Sequence, residues 1–173
     1  MSPFVLSLGR AFAGTALRRL AEQFQSGATE WFIERGIVAP LRTGGALLLL
    51  QERGPQGVVE IATQLRQSHP TIISWIKELE RLGLIRSRPS ELDGRRTVIS
   101  LTKAGEVQAE LIRAAQNVLA SAYVSLCAEA GVDIFDGLLR MEDLCRRRPM
   151  IERLREQAEE FDLELSSSAS QAG

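Results

Sequence analysis

Three features of this 173-residue sequence predict a mainly α-helical fold with one small β-hairpin. Apolar residues recur at spacings of three and four through most of the chain, the period of amphipathic helices. One stretch, residues 84–101, departs from that period and gives two short β-branched-rich runs around a polar turn. Glycine and proline stand between the periodic segments, at Gly36, Pro40, Gly54-Pro55, Gly83, Gly131 and Pro149.

The elements follow from those features in order. Residues 4–35 carry Phe4, Leu8, Phe12, Leu17, Leu20, Phe24, Trp31 and Phe32 on or near one stripe, which predicts a long helix closed by Gly36. Pro40 opens a second helix that runs through Leu47–Leu50 to Gly54-Pro55. Val58, Val59, Ile61, Ala62 and Leu65 form a short third helix, and Arg66-Gln67 turns directly into Ser68. After the hairpin, residues 103–130 make a helix, Gly131 breaks it, and residues 133–148 make another. Pro149 starts a last helix ending near Leu165, and the small polar tail 166–173 is expected to be disordered. At 45% hydrophobic the chain has enough apolar material for one globular domain over residues 1–165.

The segment 68–102 carries the functional signal. Ser68 is a good N-cap, its hydroxyl placed to accept from the Thr71 backbone N–H, and Pro70 sits in the first turn where a missing N–H costs nothing. Ile72, Trp75, Ile76, Leu79 and Leu82 form the buried stripe, and Gly83 ends the helix as a left-handed residue. The remaining face carries His69, Thr71, Ile73, Ser74 and Lys77. Short donors and acceptors, one β-branched apolar group and one cation suit base edges, a thymine methyl and phosphate. An ordinary surface helix has the same pattern, so the helix alone leaves both readings open. The preceding short helix and tight turn make the pair a helix-turn-helix, with the second helix as the reader. The hairpin then adds a wing: Leu84–Arg88 and Thr97–Leu101 flank a turn containing Pro89, Asp93 and Gly94, with Arg95 and Arg96 at its tip. Asp93 is near enough in sequence to brace Arg95, and an arginine at such a tip suits the negative, narrow minor groove.

The sequence SHPTIISWIKELERLGLI resembles the recognition helix of the MarR-type (multiple antibiotic resistance regulator) winged helix-turn-helix transcription factors. Asp93, Arg95, Leu101 and Thr102 fit that family's wing pattern D-x-R-x-x-x-x-x-L-T, and Lys103-Ala104-Gly105 matches the usual start of its next helix. The motif match covers roughly residues 56–105. SHP, DGRR and PMIERLRE further resemble the regulator half of proteins that fuse such a domain to an acetyltransferase, although no glycine-rich acetyl-CoA loop is present. The resemblance implies a winged helix-turn-helix over 56–103, with 4–54 and 104–165 supplying helices that interlock with those of a second copy. Such a two-fold dimer presents two reading helices about one DNA turn apart, for half-sites ~10 bp apart. It also implies a small aromatic or lipophilic effector between reader and dimer helices. The expected DNA-binding set is Ser68, His69, Pro70, Thr71, Ile73, Ser74, Lys77, Arg88, Asp93, Arg95 and Arg96.

The net charge is −1, yet residues 56–103 hold eight Lys/Arg against five Asp/Glu and the remainder thirteen against seventeen. A modestly basic reader on an acidic scaffold leaves discrimination to a few placed cations. Thr43-Gly44-Gly45 puts little side-chain volume on a helix at a cost of about 1 kcal/mol per glycine. Close helix packing explains it, and a ligand space beside Thr43, Gly44 and Gly45 is the sharper alternative. Cys127 and Cys145, eighteen residues apart with His69 the only histidine, make a metal site improbable. Packed helical cysteines are the plain reading, and an oxidant sensor at Cys145, activated by Arg146–Arg148, is the alternative. His69 is readable as a pH-dependent contact or simply as a neutral donor in the groove. Ala11-Phe12-Ala13 resembles a signal-peptidase site, but no positive charge precedes the short apolar run and Gly9-Arg10 interrupts it; the four leucines at 47–50 lie in an apolar run of five residues, too short to span a bilayer. No catalytic constellation, phosphate loop or cofactor motif is present. The expectation is a cytoplasmic, non-enzymatic regulator that binds double-stranded DNA as a homodimer and represses. The alternative from another class is a winged-helix protein-interaction module, such as a detached regulatory half of an acetyltransferase.

Overall fold

The computed structural model describes residues 3–89 and 97–171. In chain order the elements are α1 (Pro3–Ser7), α2 (Ala13–Glu34), α3 (Gly44–Arg53), β1 (Gln56–Gly57), α4 (Val58–Gln64), α5 (His69–Arg81), β2 (Ile85–Pro89), β3 (Thr97–Leu101), α6 (Lys103–Ala130), α7 (Phe135–Arg147) and α8 (Met150–Gln171). Short 3-10 turns at Gly9–Phe12 and Leu41–Thr43 lead into α2 and α3. The chain divides into two compact units, Met1–Ser121 and Ala122–Gly173.

The first unit is built around one apolar core. Phe32 of α2, Leu47 and Leu50 of α3, Ile61 of α4, Ile72, Ile76 and Leu79 of α5, Ile99 of β3 and Ile112 of α6 meet there. Three antiparallel strands, in the order β1-β3-β2, form its small sheet. The hairpin register pairs Ile85 with Leu101, Ser87 with Ile99 and Pro89 with Thr97. Ile85 and Ile99 are buried, so that face of the sheet looks into the core, while Arg86 and Arg88 stand on the other. β1 was not foreseen from the sequence: it is two residues long, and Gln56 pairs with Ile99 far along the chain.

Two polar devices fix α6 in this unit. The buried Gln108 amide accepts from the Val38 N–H at 2.8 Å and donates to the Gly36 carbonyl at 3.2 Å, tying the segment after α2 to α6. At the start of α6, the Thr102 hydroxyl donates to the Gly83 carbonyl at 2.7 Å and accepts from the Gly105 N–H at 3.1 Å. The Thr102 N–H itself donates to the Leu84 carbonyl at 3.0 Å. Gly105 fits because it lacks a side chain: a Cβ there would lie 1.9 Å from the Leu84 carbonyl oxygen.

The second unit contains the end of α6, then α7 and α8. Gly131 has φ +68, the left-handed conformation that stops α6. Phe135, Leu138, Leu139, Met141, Leu144, Met150, Ile151, Leu154 and Phe161 are all exposed large apolar side chains. Ion pairs with i,i+4 spacing cover the polar face of α7: Arg140–Asp136, Arg146–Glu142 and Arg147–Asp143.

Three boundaries differ from the sequence reading. The predicted helix over 4–35 is interrupted, because Gly9 takes φ +54 and the chain passes through a 3-10 turn before α2 begins at Ala13. The apolar stripe continues across that break, which hid it. Gly44 and Gly45 are the first two residues of α3 rather than interior ones, so their cost to the helix is smaller than an interior glycine's. The last helix runs on to Gln171, past Leu165 and into the segment expected to be disordered. Residues 166–171, SSSASQ, contain neither glycine nor proline to stop it.

Candidate nucleic-acid interface

The helix-turn-helix is formed by α4 and α5. Between them Arg66 has φ +53, the only positive φ outside glycine among the described residues, and the Gln67 N–H donates to the Ala62 carbonyl at 2.9 Å. That left-handed residue reverses the chain in three steps and delivers Ser68 in an extended conformation, ready to cap α5. The Ser68 hydroxyl oxygen accepts from the Thr71 N–H at 3.3 Å and lies 2.7 Å from the Thr71 hydroxyl. Two of the expected base-edge groups are therefore partly engaged with each other at the helix start.

Along α5 the apolar stripe faces inward as the periodicity requires, with Ile72, Ile76 and Leu79 buried and Trp75 and Leu82 half-buried. His69, Pro70, Ile73, Ser74 and Lys77 are exposed and Thr71 is half-buried. These residues occupy one surface at the N-terminal half of the helix, the end that carries the positive pole of the helix dipole. The helix closes at Leu82, and Gly83 follows at φ +70.

The hairpin stands next to this helix in the chain and packs on it through Ser87, whose hydroxyl donates to the Glu80 carboxylate. Arg88 is exposed on the outward face of β2, across from Val98. Arg86, which the sequence reading left out of the site, shares that face; its Nε donates to the Ser100 hydroxyl at 3.2 Å. Pro89, expected in the turn, ends β2 instead, which an edge strand tolerates because no ladder donor is lost. Asp93, Arg95 and Arg96, with Gly94, lie outside the described residues.

A second element reaches α5 from the opposite side. The Arg42 guanidinium, in the 3-10 turn before α3, donates to the Glu78 carboxylate at 2.5 Å. The partners are 36 residues apart in sequence, so no local pattern signals the pair.

The remaining candidates separate from this surface. Thr43 is fully buried and its hydroxyl donates to the Pro40 carbonyl at 2.8 Å. A Cβ on Gly44 would touch Ile112 at 3.4 Å and Phe32 at 4.0 Å, and one on Gly45 would touch Leu65 at 3.5 Å. The space beside both glycines is occupied by packed side chains. An open groove of about 610 Å³ lies instead along the N-terminal arm, lined by Val5, Phe12, Ala16, Arg19, Leu20 and Gln23 among others. Cys127 is half-buried and Cys145 exposed. The arginines that follow Cys145 are engaged, with Arg146 on Glu142, Arg147 on Asp143 and Arg148 on Glu156. Among the described residues no group of three or more His, Cys, Asp or Glu could hold a metal ion, and no single helix is long and apolar enough to cross a membrane.

Against known proteins, α3, the helix-turn-helix and β2 fall within the part that matches a family model. Residues 45–97 match the model of the MarR family. That span runs from the first turn of α3 to the first residue of β3. Solved structures of similar fold cover more of the chain. The S. aureus MepR–DNA complex is 21% identical over 78% of this chain and 94% of that one, with a TM-score of 0.58. The heme sensor PefR from Streptococcus agalactiae in complex with heme is 18% identical over 79% and 93%, with a TM-score of 0.56. A probable transcriptional regulator from Pseudomonas aeruginosa is 23% identical over 73% and 92%, with a TM-score of 0.52. No match was found among curated proteins. These likenesses establish a mainly helical MarR-type winged-helix fold.

Proposed function

We propose that the protein is a sequence-specific DNA-binding transcriptional regulator that binds a pseudo-palindromic operator as a homodimer and represses from it. The observation that carries the reading is the exposed N-terminal face of α5, with His69, Ser74 and Lys77 open to solvent beside a hairpin whose outward face bears Arg86 and Arg88. Such a face admits direct readout of base edges, and the arginines and Lys77 supply phosphate contacts that hold the register. MepR, a relative of the same fold, has been seen in complex with DNA, which supports the assignment. Asp93, Arg95 and Arg96 are assigned to the wing tip on the motif alone.

The dimer is supported by the second unit, whose apolar side chains from Phe135 to Phe161 exceed what a solitary soluble chain leaves open. A second copy supplies an identical set, and a two-fold contact between them is self-complementary. Release by a small lipophilic effector is part of the proposal, supported by PefR, which binds heme within the same fold. Packing around Thr43, Gly44 and Gly45 leaves a site there dependent on movement of Ile112 or Leu65.

The test is the salt dependence of binding to a short duplex from upstream of the coding sequence. Arg95→Ala is expected to weaken binding and to lower the slope of log K against log salt by about one unit, because one phosphate or minor-groove cation is lost. An unchanged slope in fluorescence anisotropy contradicts a wing contact at Arg95. Absent or salt-insensitive binding by the wild type, with a second polypeptide co-purifying, favours the protein-interaction module instead.

A further inference from the structure

The two borders of the reading face of α5 both end in a carboxylate. Thr71, Ser74 and Glu78 follow one another at helical spacings of three and four, and so do Ile73, Lys77 and Glu80 on the other side. On the DNA-binding reading, a carboxylate on either border of that face would repel the phosphates that the reading residues approach. Neither carboxylate is left alone. Glu80 accepts from the Ser87 hydroxyl of β2, and Glu78 accepts from the Arg42 guanidinium at 2.5 Å. Among the described residues, only the second contact brings a charge. Arg42 side-chain exposure is 59% against 24% for Glu78, so the cation forms the outer layer and the anion the inner one.

We infer that Arg42 is a charge-masking, positioning residue of the DNA interface: it neutralises Glu78 on the border of the recognition helix, so that the face beyond Thr71 and Ser74 meets phosphate without repulsion. The inference rests on the DNA-binding reading given above. It assigns a role in DNA binding to a residue outside the helix-turn-helix and the wing. It also adds a cation to the modest surplus of the 56–103 segment, in which Glu78 is one of five acidic residues.

Arg42→Ala, Arg42→Lys, Glu78→Gln and the double variant Arg42→Ala/Glu78→Gln separate masking from mere support of the helix. Each is titrated by fluorescence anisotropy, over a range of salt, with a short duplex that the wild-type protein selects from a random pool. Circular dichroism melting checks that each variant folds, and both side chains reach the surface, so folding is expected to hold. Arg42→Ala is expected to bind about fivefold more weakly at low salt, with a shallower salt slope, because an uncompensated anion now faces the phosphates. Glu78→Gln binds as tightly as wild type or tighter, Arg42→Lys retains binding, and the double variant returns to within about twofold of wild type.

A purely supporting pair gives a different pattern: Glu78→Gln weakens binding as Arg42→Ala does, and the double variant shows no recovery. That pattern, or an Arg42→Ala protein indistinguishable from wild type, overturns the masking role while leaving DNA binding intact. If the wild-type protein selects no duplex at all, the DNA-binding reading fails and the masking role fails with it.

Discussion

Gly105 shows how much of this fold is set by single residues at joints. The Leu84 carbonyl oxygen occupies the place where any other side chain would begin, and backbone cannot move aside as a flexible side chain would. Gly105→Ala is therefore expected to lower stability by at least about 2–3 kcal/mol, the upper range for overpacking, and chemical denaturation would measure it. Retained stability would mean that the start of α6 shifts freely against the hairpin base. Ser68→Ala is milder, because the cap contact to the Thr71 N–H is near the surface; a loss of about 1 kcal/mol is expected. The Ser68–Thr71 hydroxyl contact also means that this variant perturbs two candidate base-contacting groups together. Residues of this local kind were legible in sequence. Ser68, Pro70 and Gly83 announce a helix start and stop because caps and left-handed termini depend on the nearest four residues only. Arg42–Glu78 was not legible, since it joins elements that only the fold brings together, and Arg86–Ser100 depends on a hairpin register that the sequence left open.

At the scale of elements, periodicity identified α5, α6 and the hairpin strands with little displacement, because each has a single sharp pattern and a strong breaker at its end. It failed where two signals conflicted. The apolar stripe of the N-terminal segment runs across Gly9 without interruption, while the backbone turns there. It also failed where the element is too short to carry a pattern: β1 is two residues and exists through its pairing with β3. The polar face of α5 proposed as the reading surface was legible as composition, and its exposure follows from the burial of Ile72, Ile76 and Leu79 behind it. On the proposed reading the hairpin strand contributes as well as the wing motif. Arg86 and Arg88 lie two residues apart on one strand face, about 6.6 Å along the strand, and both are exposed. Arg86→Ala is expected to reduce DNA affinity and the salt slope without changing sequence preference, since a phosphate contact positions but does not specify. A changed preference in a binding-site selection would show that Arg86 reads bases.

For the whole molecule, the second unit sets the expectation. α7 has no buried residue, and α8 exposes Met150, Ile151, Leu154 and Phe161. Ion pairs on the polar face of α7 are exposed and contribute little to stability individually, so burial of the apolar face is the larger force available. Light scattering is expected to give twice the 19.1 kDa chain mass, and Leu144→Glu is expected to shift it toward one. A monomeric wild type would leave the two-fold spacing of reading helices without a basis. The central claim, that the exposed face of α5 and the hairpin beside it grip duplex DNA, is tested most directly by a gel shift. Purified protein should retard DNA from upstream of its own coding sequence, survive an excess of unrelated competitor and lose the complex as salt rises. Binding that any competitor removes, or no retardation at low salt, would contradict it.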